Sequence, residues 1–117
     1  MSAMSARRGQ ALLWFAQRAS AAVLALCVVV HLVTMIVAVR GGLTAAEILA
    51  RTRGNIGWAV FYGVFVVAVT IHAPIGMRTV LAESSGGHRR GLDIAMTAFA
   101  LLLLAAGLRA VYAVTAG

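Results

Sequence analysis

Three predominantly apolar runs, each long enough to cross a lipid bilayer, leave this chain few folds to adopt. They cover roughly residues 12–39, 56–82 and 92–114, and about 20 apolar residues suffice to span the hydrocarbon layer as a helix. Inside hydrocarbon the backbone polar groups can be satisfied only within a helix or a closed barrel. Barrel strands alternate apolar and polar residues, and these runs do not. The expected fold is therefore all-α: a single membrane domain, residues 1–117, built as a three-helix transmembrane bundle. Hydrophobic residues make up 62% of the chain, against about 45–50% in soluble domains. The 117 residues leave no room for a separate soluble catalytic domain.

The connections differ in character. After the first run, Gly41-Gly42 stops the helix, and Thr44-Ala45-Ala46-Glu47 has the spacing of a capping box. A short surface helix over about 45–51 is expected there. The second connection, Glu83 to Arg90, is polar and Gly-rich and reads as a loop. The run that follows Arg7 and Arg8 is too long for the apolar core of a signal peptide and carries a histidine, so it reads as a retained helix.

All ten basic residues are arginine and the formal net charge is +7. Because the arginines flank apolar segments, they read as topology signals and lipid-headgroup contacts, with no nucleic-acid partner implied. Arg7, Arg8, Arg18, Arg78, Arg89 and Arg90 fall on one side; Arg40, Arg51, Arg53 and Arg109 fall on the other. The positive-inside rule then places the N-terminus in the cytoplasm, for a multi-pass protein of a bacterial inner membrane. The single cysteine, Cys27, excludes an internal disulfide and reads as packing.

Two histidines lie within apolar runs, His31 and His72. An ionisable side chain in the bilayer is costly and by default marks function. Around His72 the sequence reads Thr70-Ile71-His72-Ala73-Pro74-Ile75-Gly76-Met77-Arg78. Pro74 removes a backbone donor and should kink the helix. Gly76, one turn on, removes bulk where a flat macrocycle could approach, and Arg78 is placed to neutralise a propionate. These features make b-type haem the leading cofactor, with a histidine that only hydrogen-bonds a neighbouring helix as the plain alternative. By a rise of 1.5 Å per residue, His72 lies about 15 Å and His31 roughly 28 Å from the cytoplasmic side. A separation of ~13 Å prevents one haem from using both, so the opposite axial ligands would have to come from another chain. For His31, packing remains an equal reading. His88, beside Arg89 and Arg90, reads as a solvated surface residue.

A second constellation opens the first helix: Trp14-Phe15-Ala16-Gln17-Arg18-Ala19-Ser20. Trp14, Gln17 and Arg18 are three and four residues apart and so share a face. A cation and hydrogen-bond donors at the membrane edge suit a quinone carbonyl or a haem propionate; snorkelling of Arg18 is the plain alternative. Trp58, Tyr62 and Tyr112 read as interfacial belt residues, and Arg109 as a snorkelling residue.

At these residues the chain resembles the small cytochrome b membrane-anchor subunits of succinate dehydrogenase and fumarate reductase. Gln17-Arg18-Ala19-Ser20-Ala21 is similar to that family's Arg-x-Ser/Thr, and His72-x-x-x-Gly76-x-Arg78, with Glu83 after it, to its His-x-x-x-Gly and later acidic residue. The resemblance implies that His72 is an axial ligand of haem b and that Arg18 lies near a propionate or a quinone site, with Trp14, Gln17 and Ser20 around it. It implies as partners a flavoprotein subunit, an iron–sulfur subunit and a second membrane anchor, either a different chain or another copy. Di-haem relatives place a second ligand on helix one, a position His31 matches in depth order. The chain departs from the family where many members carry Asp-Tyr after helix two: here Glu83-Ser84 supplies no tyrosine for quinone. Some members also have a serine where Trp14 stands. The expected function is an electron-transfer anchor subunit, not catalytic alone; the alternatives are a b-type cytochrome anchoring another dehydrogenase and a haem-free interaction or assembly protein.

Overall fold

The computed structural model describes residues 3–87 and 90–117. Four helices follow one another: α1 (Ala3–Arg40), α2 (Ala45–Thr52), α3 (Ile56–Ser85) and α4 (Arg90–Thr115). α1, α3 and α4 are each long and apolar enough to cross a membrane, and no strand occurs among the described residues. The three-helix architecture is as expected.

The boundaries differ where hydropathy alone was the guide. α1 begins at Ala3 instead of near Leu12. Apolar length marks only what can lie in lipid, whereas Ala, Met, Arg and Gln before Leu12 all favour helix. Residues 3–11 therefore extend the span as an exposed helical stub. At its other end α3 continues through Glu83, Ser84 and Ser85 before Gly86 ends it in the left-handed conformation, at φ 87°. Glu83 thus belongs to the last turns of α3 and not to a loop. His88 and Arg89, read as loop residues, lie outside the described residues. α3 runs through Pro74 without interruption.

α2 forms as its capping box requires. The Glu47 amide donates to Thr44 Oγ1 at 3.2 Å, and the Thr44 amide donates to Glu47 Oε2 at 2.8 Å. The end of this helix is tied to the chain terminus: Thr52 Oγ1 donates to the Val114 carbonyl at 2.6 Å, and the Gly54 amide donates to the Thr115 carbonyl at 2.8 Å.

α3 is the central element, packed against α4 on one side and α1 on the other, while α2 rests on α4. The seams use small residues. Ala68 and Ala82 are buried on α3 and Cys27 on α1, the packing role expected of the cysteine. Helices in lipid gain nothing from burying apolar surface against each other, so close approach through small side chains is what holds them. Large apolar residues such as Leu12, Leu26, Val39, Ile56 and Leu102 face outward. That surface suits lipid tails or another membrane chain.

Candidate functional site

The α1–α3 seam carries both intramembrane histidines, and two contacts fix its register. In the N-terminal half of α1, Gln17 lies against Gly76: a Cβ on residue 76 would stand 3.0 Å from Gln17 Nε2. Near the other end, His31 Nδ1 and the Tyr62 hydroxyl are 3.3 Å apart. Fourteen residues separate Gln17 from His31 on α1, and fourteen separate Tyr62 from Gly76 on α3, as two helices running antiparallel require. His72 is ten residues along α3 from the level of His31, about 15 Å. The two imidazoles are far apart in depth, as the sequence arithmetic expected.

Their surroundings differ. His31 sits in an aromatic cluster. Its ring meets Tyr62 and Phe65 edge-on, with centroids 5.8 and 5.9 Å away, and Trp58 stacks on Tyr62 at 5.7 Å. Tyr62 is half-buried and is therefore not merely an interfacial belt residue: its hydroxyl serves His31. The cluster borders a cavity of about 330 Å³ between α1, α3 and α4, roofed by Ile48, Leu49 and Thr52 of α2. Tyr112, by contrast, is 65% exposed, as a belt residue should be.

His72 Nδ1 is buried and has no hydrogen-bond partner among the described residues. A buried polar nitrogen without a partner is costly, and such groups in a native fold point to something that completes them. Among the described residues no group of three or more His, Cys, Asp or Glu comes together. His31 and His72 each stand alone at their own depth, so the chain offers one imidazole at each level.

The space over Gly76 is taken by Gln17, not left open for a macrocycle. The glycine permits the close approach of α1 in place of the flat group that the sequence suggested. Gln17 Oε1 is itself buried and unpartnered. The face expected to unite Trp14, Gln17 and Arg18 is divided. Gln17 turns into the seam, while Trp14 and Arg18 lie at the surface, the guanidinium over the indole at 5.3 Å. Ser20 is buried and donates to the Gln17 carbonyl at 3.1 Å. It lines an apolar groove of about 560 Å³ with Ala16, Ala19, Val64 and Val67.

Arg78 is engaged by a residue to which the sequence motifs gave no role. Its Nε donates to Asp93 Oδ1 of α4 at 2.7 Å. Asp93 is one of only three acidic residues in the chain, and that scarcity, at the same end of the bundle as Arg78, was the available signal. The pair uses only Nε of the guanidinium. Arg109 is exposed on α4.

The comparison with protein families decides the class of the chain. The family described as succinate dehydrogenase/fumarate reductase transmembrane subunit matches residues 3–108. The chain belongs to this family. Neither the curated proteins nor the solved structures give a match. This transmembrane subunit is thus a multi-pass membrane protein, and the match runs from the α1 stub through the two histidines and most of α4.

Proposed function

We propose that this transmembrane subunit is the haem b-binding anchor of a succinate:quinone oxidoreductase, with His72 as the axial ligand it supplies. The observation that carries the reading is a half-buried imidazole, His72, within a membrane span of a chain that belongs to this family. A haem b bound there would take up and release single electrons between its ferric and ferrous states. The chain's own part is to hold that imidazole on a rigid helix, at the depth of the N-terminal half of α1. Arg78, whose ion pair with Asp93 uses only Nε, is placed on the same helix toward the membrane edge, where a propionate needs a cation. Arg18 offers a second cation at that edge.

His31 is the candidate ligand for a second haem nearer the opposite face. Its Nδ1 is already held by Tyr62, an arrangement that orients an imidazole and leaves Nε2 for a metal. Each ligand would need a counterpart from a second membrane anchor, a different chain or another copy. At the N-terminal edge, taken as cytoplasmic from the arginine distribution, Trp14 and Arg18 border the proposed quinone site, while Gln17 in the seam and Ser20 in the apolar groove lie behind it. There Arg18 donates to a quinone carbonyl. The exposed stub of α1, with Arg7 and Arg8, lies on the side where the flavoprotein and iron–sulfur subunits would dock.

The test is purification of the membrane complex through a tag on this chain. The reading expects flavin, a reduced-minus-oxidised haem b spectrum and succinate:quinone activity in one fraction. Haem with flavin but no succinate activity would indicate another dehydrogenase, and a complex without haem would contradict the proposal.

A further inference from the structure

Two buried side-chain polar atoms lack a hydrogen-bond partner among the described residues, and they belong to Gln17 and His72. Gln17 Oε1 can only accept; His72 Nδ1 donates when it carries the ring proton. His72 and Gly76, four residues apart, share one face of α3, the face on which Gln17 packs. Gln17 packs on Gly76, and Gly76 is one helical turn from His72, about 6 Å along α3. No other unpartnered buried side-chain nitrogen or oxygen occurs among the described residues. In hydrocarbon an unmet acceptor and an unmet donor one helical turn apart are each costly, and each can relieve the other.

We propose that Gln17 is the positioning residue for His72. Its Oε1 accepts a hydrogen bond from the His72 Nδ1–H, directly or through one water. The inference rests on the reading of His72 as a haem ligand. The two atoms are not bonded to one another in this structure; the three side-chain torsions of Gln17 give its amide the freedom to turn from Gly76 toward the ring. Once made, the bond fixes the tautomer with the proton on Nδ1 and leaves the Nε2 lone pair for iron. A hydrogen-bond acceptor behind a ligating imidazole also raises the basicity of the ligand. A more basic ligand favours ferric over ferrous iron, so the bond lowers the haem reduction potential. Gly76 takes part indirectly: a Cβ there would meet the Gln17 amide at 3.0 Å and displace it.

The experiment uses the assembled complex and reads the haem midpoint potential by optical redox titration, together with haem per complex. Gln17→Leu removes the acceptor and is expected to raise the midpoint potential. Gln17→Glu keeps a carbonyl oxygen at the same reach and should give the wild-type value or a lower one. Gly76→Ala should shift the potential in the same direction as Gln17→Leu. A role for Gln17 in packing alone would move the Leu and Glu variants alike or not at all, and either result overturns the proposal. If Gln17→Leu fails to assemble, a raised potential in Gly76→Ala with none in Gln17→Glu still supports it; the same shift in both, or loss of haem from both, overturns it. A complex whose haem disappears in His72→Ala yet is indifferent to Gln17 sinks this inference and leaves the haem assignment standing. Wild-type complex without haem contradicts both.

Discussion

Gly107 of α4 lies so close to Val66 of α3 that a Cβ on residue 107 would come within 2.6 Å of Val66 Cγ1 and 2.9 Å of Cγ2. Contacts that short do not occur between real carbon atoms, so the seam can close only over glycine. Gly107→Ala should force the two helices apart and destabilise the bundle by about 1–3 kcal/mol, the usual cost of overpacking. Thermal unfolding in detergent reads this, and Val66→Ala in the same chain should restore most of the loss. An unchanged melting temperature in Gly107→Ala would show that α3 and α4 are not packed this closely.

The ion pair between Arg78 and Asp93 is partly open, with side chains 30% and 51% exposed, so its own contribution to stability is about 0–1 kcal/mol. Under the propionate reading, Arg78→Ala reduces haem retention while Asp93→Asn leaves it near the wild-type level. Equal haem content in both variants would reduce Arg78 to a partner of Asp93.

Tyr62→Phe removes the hydroxyl that His31 uses and should cost about 0.5–1.5 kcal/mol. If His31 holds a second haem, the variant keeps haem stoichiometry but shifts the potential of the outer haem alone, while His31→Ala removes one haem and spares the other. A full haem complement in His31→Ala would leave the His31–Tyr62 pair as packing.

Arg18 lies over Trp14 at the surface of α1. The account expects an Arg18→Leu complex to assemble but to lose quinone reductase activity or haem. Wild-type values for both would leave snorkelling as the whole role of this arginine.

The sequence showed the elements more clearly than the faces they share. Apolar length found α1, α3 and α4, and the Thr44–Glu47 spacing found α2, because both signals are local. The seams were hidden because spans apolar on every side carry no amphipathic stripe to mark the packed face. Gln17 and Arg18 are adjacent in sequence, yet one turns into the seam and the other to the surface, a division set by where α3 lies. The pairing of Tyr62 with His31 and of Asp93 with Arg78 arises in the same way, from helices meeting across loops. The depth difference of the two histidines was legible because helical rise is nearly constant.

The most direct test of the central claim is the reduced-minus-oxidised spectrum of the purified complex carrying His72→Ala. The account predicts loss of the haem nearer the N-terminal side of the bundle, one haem fewer per complex, with the soluble subunits still attached. An unchanged haem b signal per complex would contradict it.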